Sequence, residues 1–433
     1  MPVIDLHEPS SERARVDHKP RGAPAQRTVL SVSGSRRCRW LTTTYMPRTY
    51  RGLGVQVGAN PIRCDTRRSV RAITYSRFGD PSVLELGERP IPEPDEGELR
   101  VRVLVSGVNP TDWKSRRGTP GRELAEATVP NQDGAGVVDK LGPGVAGVGV
   151  GDRVWVTLAG DGRPASGTAQ ECTAVLAERV FALPDSADFE LGASLGIPAV
   201  TAHRALTVAE DGPARLHPGA LSGRFVLVAG GAGAVGNAAI QLARWAGATV
   251  IATVSGDAKA TLAAAAGAHH VFNYKESDAA DRIRRVAPDG VALIVEVAAG
   301  ANAELDQAVL RPRGTISIYA NDGGAPFNLD VRRSMGLNCR YQFVLLYTVG
   351  WDRITAAAAD INQAIEDGAI GVGEDAGLPL HRFGLEDASE AHATVEGGAV
   401  GKVLIAVDPA LDSHGKRPRD LRSDEGGRGR DGR

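Results

Sequence analysis

Short apolar stretches separated by turn residues run through most of the chain. Stretches such as 101–105 and 151–156 are bounded by Gly and Pro, which predicts a mostly β region over residues 70–195. Residues 225–229 (FVLVA) differ, because they are continuously apolar. Such a run is expected for a parallel strand that is covered on both faces.

Strands and helices alternate after this run. A helix with one apolar stripe ends at Gly247, and the next helix is predicted over residues 258–266. Further short strands are predicted at 249–252, 271–272, 293–295 and 315–318. This alternation predicts an α/β fold with a doubly wound parallel sheet of the Rossmann type. The longest apolar run elsewhere, 343–347, has the size of a strand.

A glycine-rich string joins the first buried strand to its helix. Residues 230–236 read GGAGAVG, with a strand before, a helix after and a second strand beyond. Glycine is needed where a backbone passes close to a pyrophosphate, whose charge then lies on the free N–H groups of the helix start. No Lys-Ser/Thr pair follows, which excludes a P-loop. The string therefore predicts a dinucleotide site.

The end of the second strand bears on which dinucleotide binds. NAD sites carry a carboxylate there for the ribose 2′-hydroxyl, but this strand ends in Val254 and Ser255, with Asp257 and Lys259 further on. An ammonium near a 2′-phosphate contributes about 1.5–3 kcal/mol. We therefore predict NADPH as the cofactor. The alternative is that Lys259 is solvated and Asp257 holds the ribose of NADH.

Composition and charge exclude several classes of protein. The chain of 433 residues is 42% apolar and 24% charged, as in ordinary globular proteins. Residues 1–69 carry 13 Lys/Arg against 5 Asp/Glu although the whole chain has a net charge of −2, so the body is acidic. An acidic body argues against nucleic acid as the main partner. No apolar run reaches the ~18 residues of a membrane span.

The two ends of the chain differ from the body. Residues 1–69 are rich in Arg, Ser, Gly and Pro and show no sustained period. Three interpretations remain open for them: a disordered basic extension that is not part of the native protein, a transit peptide, and a nucleic-acid-binding arm. Residues 410–433 are predicted to be a disordered tail.

Other chemistry-bearing patterns are weak. Residues 192–196 match G-x-S-x-G, but no buried strand precedes the serine, so we do not expect a hydrolase nucleophile. His269 and His270 are adjacent, and on a strand they would face opposite sides. The four cysteines include no C-x-x-C pair. We therefore predict no metal site, and few scattered cysteines favour a reducing cytoplasm.

Taken together, the motifs of residues 70–409 resemble the medium-chain dehydrogenase/reductase superfamily, in its zinc-free NADPH:quinone reductase (zeta-crystallin-like) branch. The matching strings are FGDPSVL (78–84), GVNPTDWK (107–114), DGAGVV (133–138), GDRV (151–154), GIP (196–198), TA (201–202), the glycine string, GAHHVFNY (267–274) and GKV (401–403). The resemblance implies a GroES-like β domain over 70–196 and 343–409 and a Rossmann domain over 197–342. It also implies a homodimer.

The resemblance also implies site residues. Catalytic roles fall on Asn109, Asp112, Lys114 and Thr201. Cofactor contacts fall on Gly230, Gly233, Ala234, Val235, Gly236, Ser255, Lys259, Tyr274, Tyr319, Phe343 and Lys402. One departure concerns Lys114, because many quinone reductases have a tyrosine there. Its ammonium could polarise a carbonyl oxygen or lie on the surface.

The zinc alcohol dehydrogenases of this superfamily take a Cys and a His from segments that here contain Val108-Asn109 and 131–133 (NQD). Without a Lewis acid to polarise an alcohol, we expect an acceptor that is already electron-poor, a quinone or an α,β-unsaturated carbonyl. Two alternatives stay open. One is a 2-enoyl thioester reductase, which would need a tyrosine that residues 109–118 lack. The other is a non-catalytic NADPH-binding sensor or structural protein.

Overall fold

The computed structural model of the chain describes residues 68–119 and 121–408. The predicted extension 1–69, except for its last two residues, and the predicted tail 410–433 lie outside the described residues. No helix within the described part of the chain is long and apolar enough to cross a membrane.

An antiparallel lobe is built first. Its elements are β1 (Ser69–Thr74), β2 (Glu85–Pro90), β3 (Glu98–Val108), α1 (Pro110–Arg117), β4 (Asp133–Leu141), β5 (Arg153–Val156), β6 (Cys172–Leu176) and β7 (Val180–Ala182). β3 pairs antiparallel with both β4 and β6. Because side chains alternate along a strand, Val101 and Val103 enter the core of this lobe while Leu104 packs into a core on the other face.

α2 (Phe189–Leu206) follows and is almost wholly buried. The prediction of a mostly β region missed this helix and α1. The sequence does not indicate α2 because this helix contains glycines and Pro198, which have low helix propensity. The G-x-S-x-G string 192–196 lies inside α2, where Ser194 Oγ donates to the Glu190 carbonyl. This context is no nucleophile elbow, as predicted.

A parallel lobe comes next. Its elements are β8 (Phe225–Ala229), α3 (Ala234–Trp245), β9 (Thr249–Val254), α4 (Asp257–Ala265), β10 (His270–Asn273), α5 (Ala279–Val286), β11 (Val291–Glu296), α6 (Ala299–Val309), β12 (Leu310–Ile318), α7 (Val331–Leu337) and β13 (Arg340–Phe343). The strand order is β10-β9-β8-β11-β12-β13, and every neighbouring pair is parallel. This is the doubly wound order, and it confirms the predicted fold class.

The continuous apolar run of β8 has the predicted cause. Val226 and Val228 enter the core on one face of the sheet, and Leu227 and Ala229 enter the core on the other. Each fully buried Val or Leu contributes about 1.5–3 kcal/mol. Such a strand has no solvated face that could carry polar residues.

The chain then returns to the antiparallel lobe. The returning elements are α8 (Trp351–Glu366), β14 (Leu380–Gly384), α9 (Ala388–Glu396) and β15 (Lys402–Ala406). β15 pairs antiparallel with β3 and completes a sheet of order β14-β15-β3-β4-β5-β7. α8 packs on α2 and α3. The apolar run 343–347 is divided between two elements, because β13 ends at Phe343 and a 3-10 turn follows at Leu346–Thr348.

Candidate functional site

The glycine turn lies at the carboxyl end of β8, where ligands bind in doubly wound sheets. Gly230 has a φ of 68°, which favours glycine. A Cβ on Gly236 would stand 2.3 Å from the Gly230 carbonyl oxygen, so only glycine lets the helix start this close to the turn. Gly233 is the N-cap residue of α3 and has no side chain that could accept from the helix N–H groups. The first turn begins with Ala234 and Val235 and carries no acidic residue. Its free N–H groups suit an anion.

The neighbouring strand ends bring three more predicted cofactor residues together. Residue Ser255 follows β9 directly, and Tyr274 follows β10, whose last residue pairs in register with Val254. Lys259 lies in the first turn of α4 and is half-buried, while Tyr274 is 40% exposed. Within the described residues Lys259 has no acidic partner. A hydroxyl, a phenol and an ammonium thus lie at one edge, a set of donors that suits a phosphate.

Two further predicted cofactor residues follow β12 and β13 at the same edge. Tyr319 donates its backbone N–H to the Glu296 carbonyl at 3.1 Å, and burial beside Glu296 raises the pKa of its phenol. Phe343 ends β13 and is 65% exposed. The carboxyl edge therefore runs from Tyr274 across the glycine turn to Phe343.

Sequence reasoning missed an acid pair under this edge. Glu296 ends β11, accepts from the Ala298 backbone N–H and accepts from Asn302 Nδ2 at 2.9 Å. Burial and the neighbouring Glu296 carboxyl raise the pKa of Asp306 well above its usual value. The hydrogen bonds of Glu296 hold the turn that contains Val297. This turn lies close to the glycine turn, since a Cβ on Gly230 would be 3.0 Å from the Val297 side chain. The sequence did contain a signal for this pair, because β11 is apolar except for the glutamate at its last residue.

A second group of predicted residues forms a buried cluster in the antiparallel lobe. Asn109 precedes α1, and its backbone N–H donates to Asp112 at 2.7 Å. Its side-chain amide donates to Asp133 Oδ2 at 2.6 Å and accepts from Lys402 Nζ at 2.7 Å. The Lys402 ammonium lies 3.8 Å from Asp133 and also donates to the Val108 carbonyl. These four side chains are at most 3% exposed.

The cluster holds two carboxyls against one ammonium. Burial raises the pKa of Asp112 to about 8, and the nearby Asp133 charge adds to this rise. Burial also raises the pKa of Asp133 to about 6, although the ammonium and the Asn109 amide oppose the rise. Burial lowers the pKa of the Lys402 ammonium. Near neutral pH, Asp112 is therefore mostly protonated and Asp133 pairs with Lys402.

α2 joins this cluster at its middle. The Ile197 N–H donates to the Asp133 carboxylate at 2.9 Å. A Cβ on Gly196 would stand 2.1 Å from Asp133 Oδ1, so glycine is required there. Thr201 lies one turn beyond Ile197 and hence on the same face of the helix. Thr201 itself is buried on this helix, at 6% exposed.

The remaining candidates lie around α1. The Lys114 ammonium is 5.5 Å from the centroid of the Trp113 ring, so it lies over its neighbour's ring. Lys402, predicted as a cofactor contact, lies in the buried cluster instead of at the strand ends. Sequence reasoning did not single out Tyr347, whose phenol is 2.8 Å from Thr111 Oγ1 on α1.

Comparisons with known proteins agree with this fold. Residues 95–194 match the family model described as alcohol dehydrogenase GroES-like domain, and residues 234–363 match the one described as zinc-binding dehydrogenase. The quinone oxidoreductase of Lama guanicoe is 32% identical over 346 residues, which cover 78% of this chain and 98% of that protein. The chain belongs to the quinone oxidoreductases of the medium-chain dehydrogenase/reductase superfamily.

Solved structures of quinone oxidoreductases are similar as well. A mycobacterial quinone oxidoreductase is 30% identical with a TM-score of 0.67, over 78% of this chain and all of that chain. A mycobacterial structure complexed with NADPH, with 30% identity and a TM-score of 0.65, has the same coverage. The Escherichia coli quinone oxidoreductase complexed with NADPH is 26% identical, with a TM-score of 0.65 and the same coverage.

One of the two matching family models is described as a zinc-binding dehydrogenase. Catalytic zinc sites use three protein ligands, mostly His and Cys. The resemblance sets Val108-Asn109 and residues 131–133 at the places of zinc ligands, and the polar atoms of Asn109 and Asp133 are engaged by Ile197, Lys402 and each other. Among residues 68–119 and 121–408, no group of three or more His, Cys, Asp or Glu side chains could hold a metal. These residues do not fit zinc.

Proposed function

We propose that the protein binds NADPH along the carboxyl edge of the parallel sheet. The free N–H groups of α3 suit the pyrophosphate, and Ser255, Lys259 and Tyr274 suit the 2′-phosphate. Two structural relatives that are described as NADPH complexes support this assignment. The exposed Asp257, in the same first turn as Lys259, is the group that would favour NADH instead.

We infer that the bound cofactor supplies a hydride, and that the acceptor is a quinone or an α,β-unsaturated carbonyl. The bonding of Asn109 and Asp133 to each other and to Lys402 supports this proposal, because the resemblance sets Asn109 and residues 131–133 at the places of zinc ligands. A Lewis acid such as zinc polarises an alcohol oxygen and eases the loss of hydride, whereas an electron-poor acceptor takes hydride without one. The reaction is accordingly independent of zinc.

The protein's own contribution is then alignment and exclusion of water. Asp112 fixes the backbone at Asn109, and the buried cluster holds the first turn of α1 in place. Thr201, which is buried on α2, is proposed to line the same space. Lys114 stays a proposed contact to the acceptor's oxygen. From its position over Trp113 it would have to move toward the acceptor.

A homodimer, implied by the resemblance, is also proposed. Apolar side chains on α7 and around β13 are exposed: Val331 60%, Met335 74%, Phe343 65% and Leu345 58%. β13 ends its sheet with one edge unpaired within the described residues. Exposed apolar residues beside an open strand edge favour association. The cytoplasmic location stays a prediction.

The test is NADPH oxidation by the full chain with a panel of quinones and enones, and with NADH as the second cofactor. We expect turnover with NADPH, slower turnover with NADH and no effect of a metal chelator. Loss of activity with the chelator and recovery with zinc would overturn the metal-free assignment.

A second outcome concerns the acceptor. Tight NADPH binding without oxidation by any quinone or enone would contradict the proposed reaction. It would favour the sensor interpretation or, after a test with a 2-enoyl thioester, the thioester reductase.

A further inference from the structure

The hydroxyl of Tyr347 connects the two lobes at the proposed acceptor site. Tyr347 lies on the 3-10 turn Leu346–Thr348 after β13, at the carboxyl edge of the parallel sheet. Its phenol is 2.8 Å from Thr111 Oγ1, on the first turn of α1 in the antiparallel lobe. Thr111 is two residues from Asn109. The phenol therefore lies between the carboxyl edge proposed for NADPH and the first turn of α1.

The surroundings of this phenol keep it protonated. It is half-buried, and burial together with the Asp112, Asp133 and Asp161 carboxyls raises its pKa above the usual value. The Thr111 hydroxyl opposes that rise and can donate a hydrogen bond to the phenolic oxygen.

The other candidate donors are placed less well. The Lys114 ammonium lies over Trp113 at 5.5 Å from the ring centroid. The α1 segment contains no tyrosine. The Asn109 amide is engaged by Asp133 and by Lys402. Tyr347 thus supplies from a distant segment the phenol that α1 lacks.

We propose that Tyr347 donates a hydrogen bond, and then a proton, to the carbonyl oxygen of the acceptor. This inference rests on the proposed function. NADPH is the two-electron reductant: its hydride forms a C–H bond to an enone, or reduces a quinone, and leaves a negative charge on the acceptor's oxygen. The Tyr347 O–H bond then breaks and an acceptor O–H bond forms. Solvent returns the proton to the phenolate, which the Thr111 hydroxyl stabilises, and an enol so formed reverts to its ketone in water.

The first test compares Tyr347→Phe with a matched control, Tyr341→Phe. Tyr341 is also on the β13 segment and bonds Gln307 and Ser334 through its phenol, away from α1. We expect Tyr347→Phe to lower kcat by about 10²-fold, the scale of general acid catalysis, with an unchanged NADPH Kd. The solvent isotope effect on kcat should disappear in that variant alone.

The second test varies the acceptor. The more basic the oxygen left after hydride transfer, the more it needs a proton donor. The loss in Tyr347→Phe should therefore be larger with enones than with electron-poor quinones. If Tyr347 only held the two lobes together, Tyr347→Phe would lower kcat by the same factor with every acceptor. Thr111→Val would then lower kcat as much as Tyr347→Phe does. We expect Thr111→Val to lose less.

The outcomes separate the two proposals. An unmodified chain that oxidises no NADPH with any acceptor refutes the proposed function. Turnover that is equal in Tyr347→Phe and the unmodified chain, or a loss that is the same for all acceptors, refutes the role of Tyr347 alone. Circular dichroism and NADPH titration of each variant establish that the protein is folded and binds its cofactor.

Discussion

Replacing the buried Lys402 by Met tests how the cluster under Asn109 is held. The substitution keeps most of the side-chain volume but removes the ammonium 3.8 Å from Asp133 and its hydrogen bond to Asn109. Removing one partner of a buried ion pair costs about 3–5 kcal/mol. We expect the free energy of unfolding near pH 8 to fall by about this amount.

The loss should depend on pH. With Lys402 in place, the pKa of Asp133 is already raised from 3.8 to about 6, and without the ammonium it rises further. Each unit corresponds to about 1.4 kcal/mol. Because the native variant then binds a proton that the unfolded chain binds only at lower pH, its deficit shrinks as the pH falls. Near pH 5, Asp133 is neutral and we expect less than about half of the loss.

Urea unfolding of both proteins near pH 8 and near pH 5 measures this difference. Lys140→Met is the matched control, since Lys140 is a half-exposed lysine paired with the exposed Glu93, and such a pair contributes about 0–1 kcal/mol. Adding Asp133→Asn to the Lys402 variant should recover part of the loss near pH 8. A loss below about 1 kcal/mol, or the same loss at both pH values, would refute the account of the cluster as a charge pair.

Further outcomes are expected at the cofactor edge. Lys259→Ala should weaken NADPH about 10- to 100-fold and leave NADH unchanged in fluorescence titrations; equal effects on both cofactors would contradict a 2′-phosphate contact. Gly236→Ala should abolish NADPH binding, whereas Gly336→Ala, with open space around its Cβ, should bind normally; normal binding by both would show that the turn tolerates a Cβ. Since native Asp306 retains a proton that the unfolded chain loses above pH 3.8, stability should decline as the pH rises from this value. Asp306→Asn should remove this slope in urea midpoints, and an unchanged slope would point to other groups.

The sequence was informative where burial on both faces dictates residue type. β8 occupies the predicted residues 225–229, because a strand with two buried faces can carry only apolar residues. α2 was not predictable by the same reasoning. Its Gly196 and Pro198 argue against a helix, yet Gly196 is there because the Asp133 carboxylate leaves no room for a Cβ. Tertiary contact outweighs local propensity at such positions.

The site was predictable only in part for a similar reason. The glycine turn is local, so its strand and helix context identifies it. The partners Asn109 and Lys402 are 293 residues apart, and the register that joins them, Val403 opposite Val108, appears only when β15 pairs with β3. Tyr347 reaches Thr111 across 236 residues in the same way. Pairings of this kind leave no periodic trace in the sequence.

The continuity of α2 has a consequence for recombining lobes from different relatives. The predicted boundary between the two domains, between residues 196 and 197, falls in the middle of this helix. It lies next to the Ile197 N–H, which donates to the Asp133 carboxylate. A crossover there would join half a helix to a carboxylate from another parent. Crossovers before Asp188 or after Thr207 would transfer α2 whole. Hybrids made after Thr207 should inherit the acceptor preference of the parent that supplies both α1 and α2.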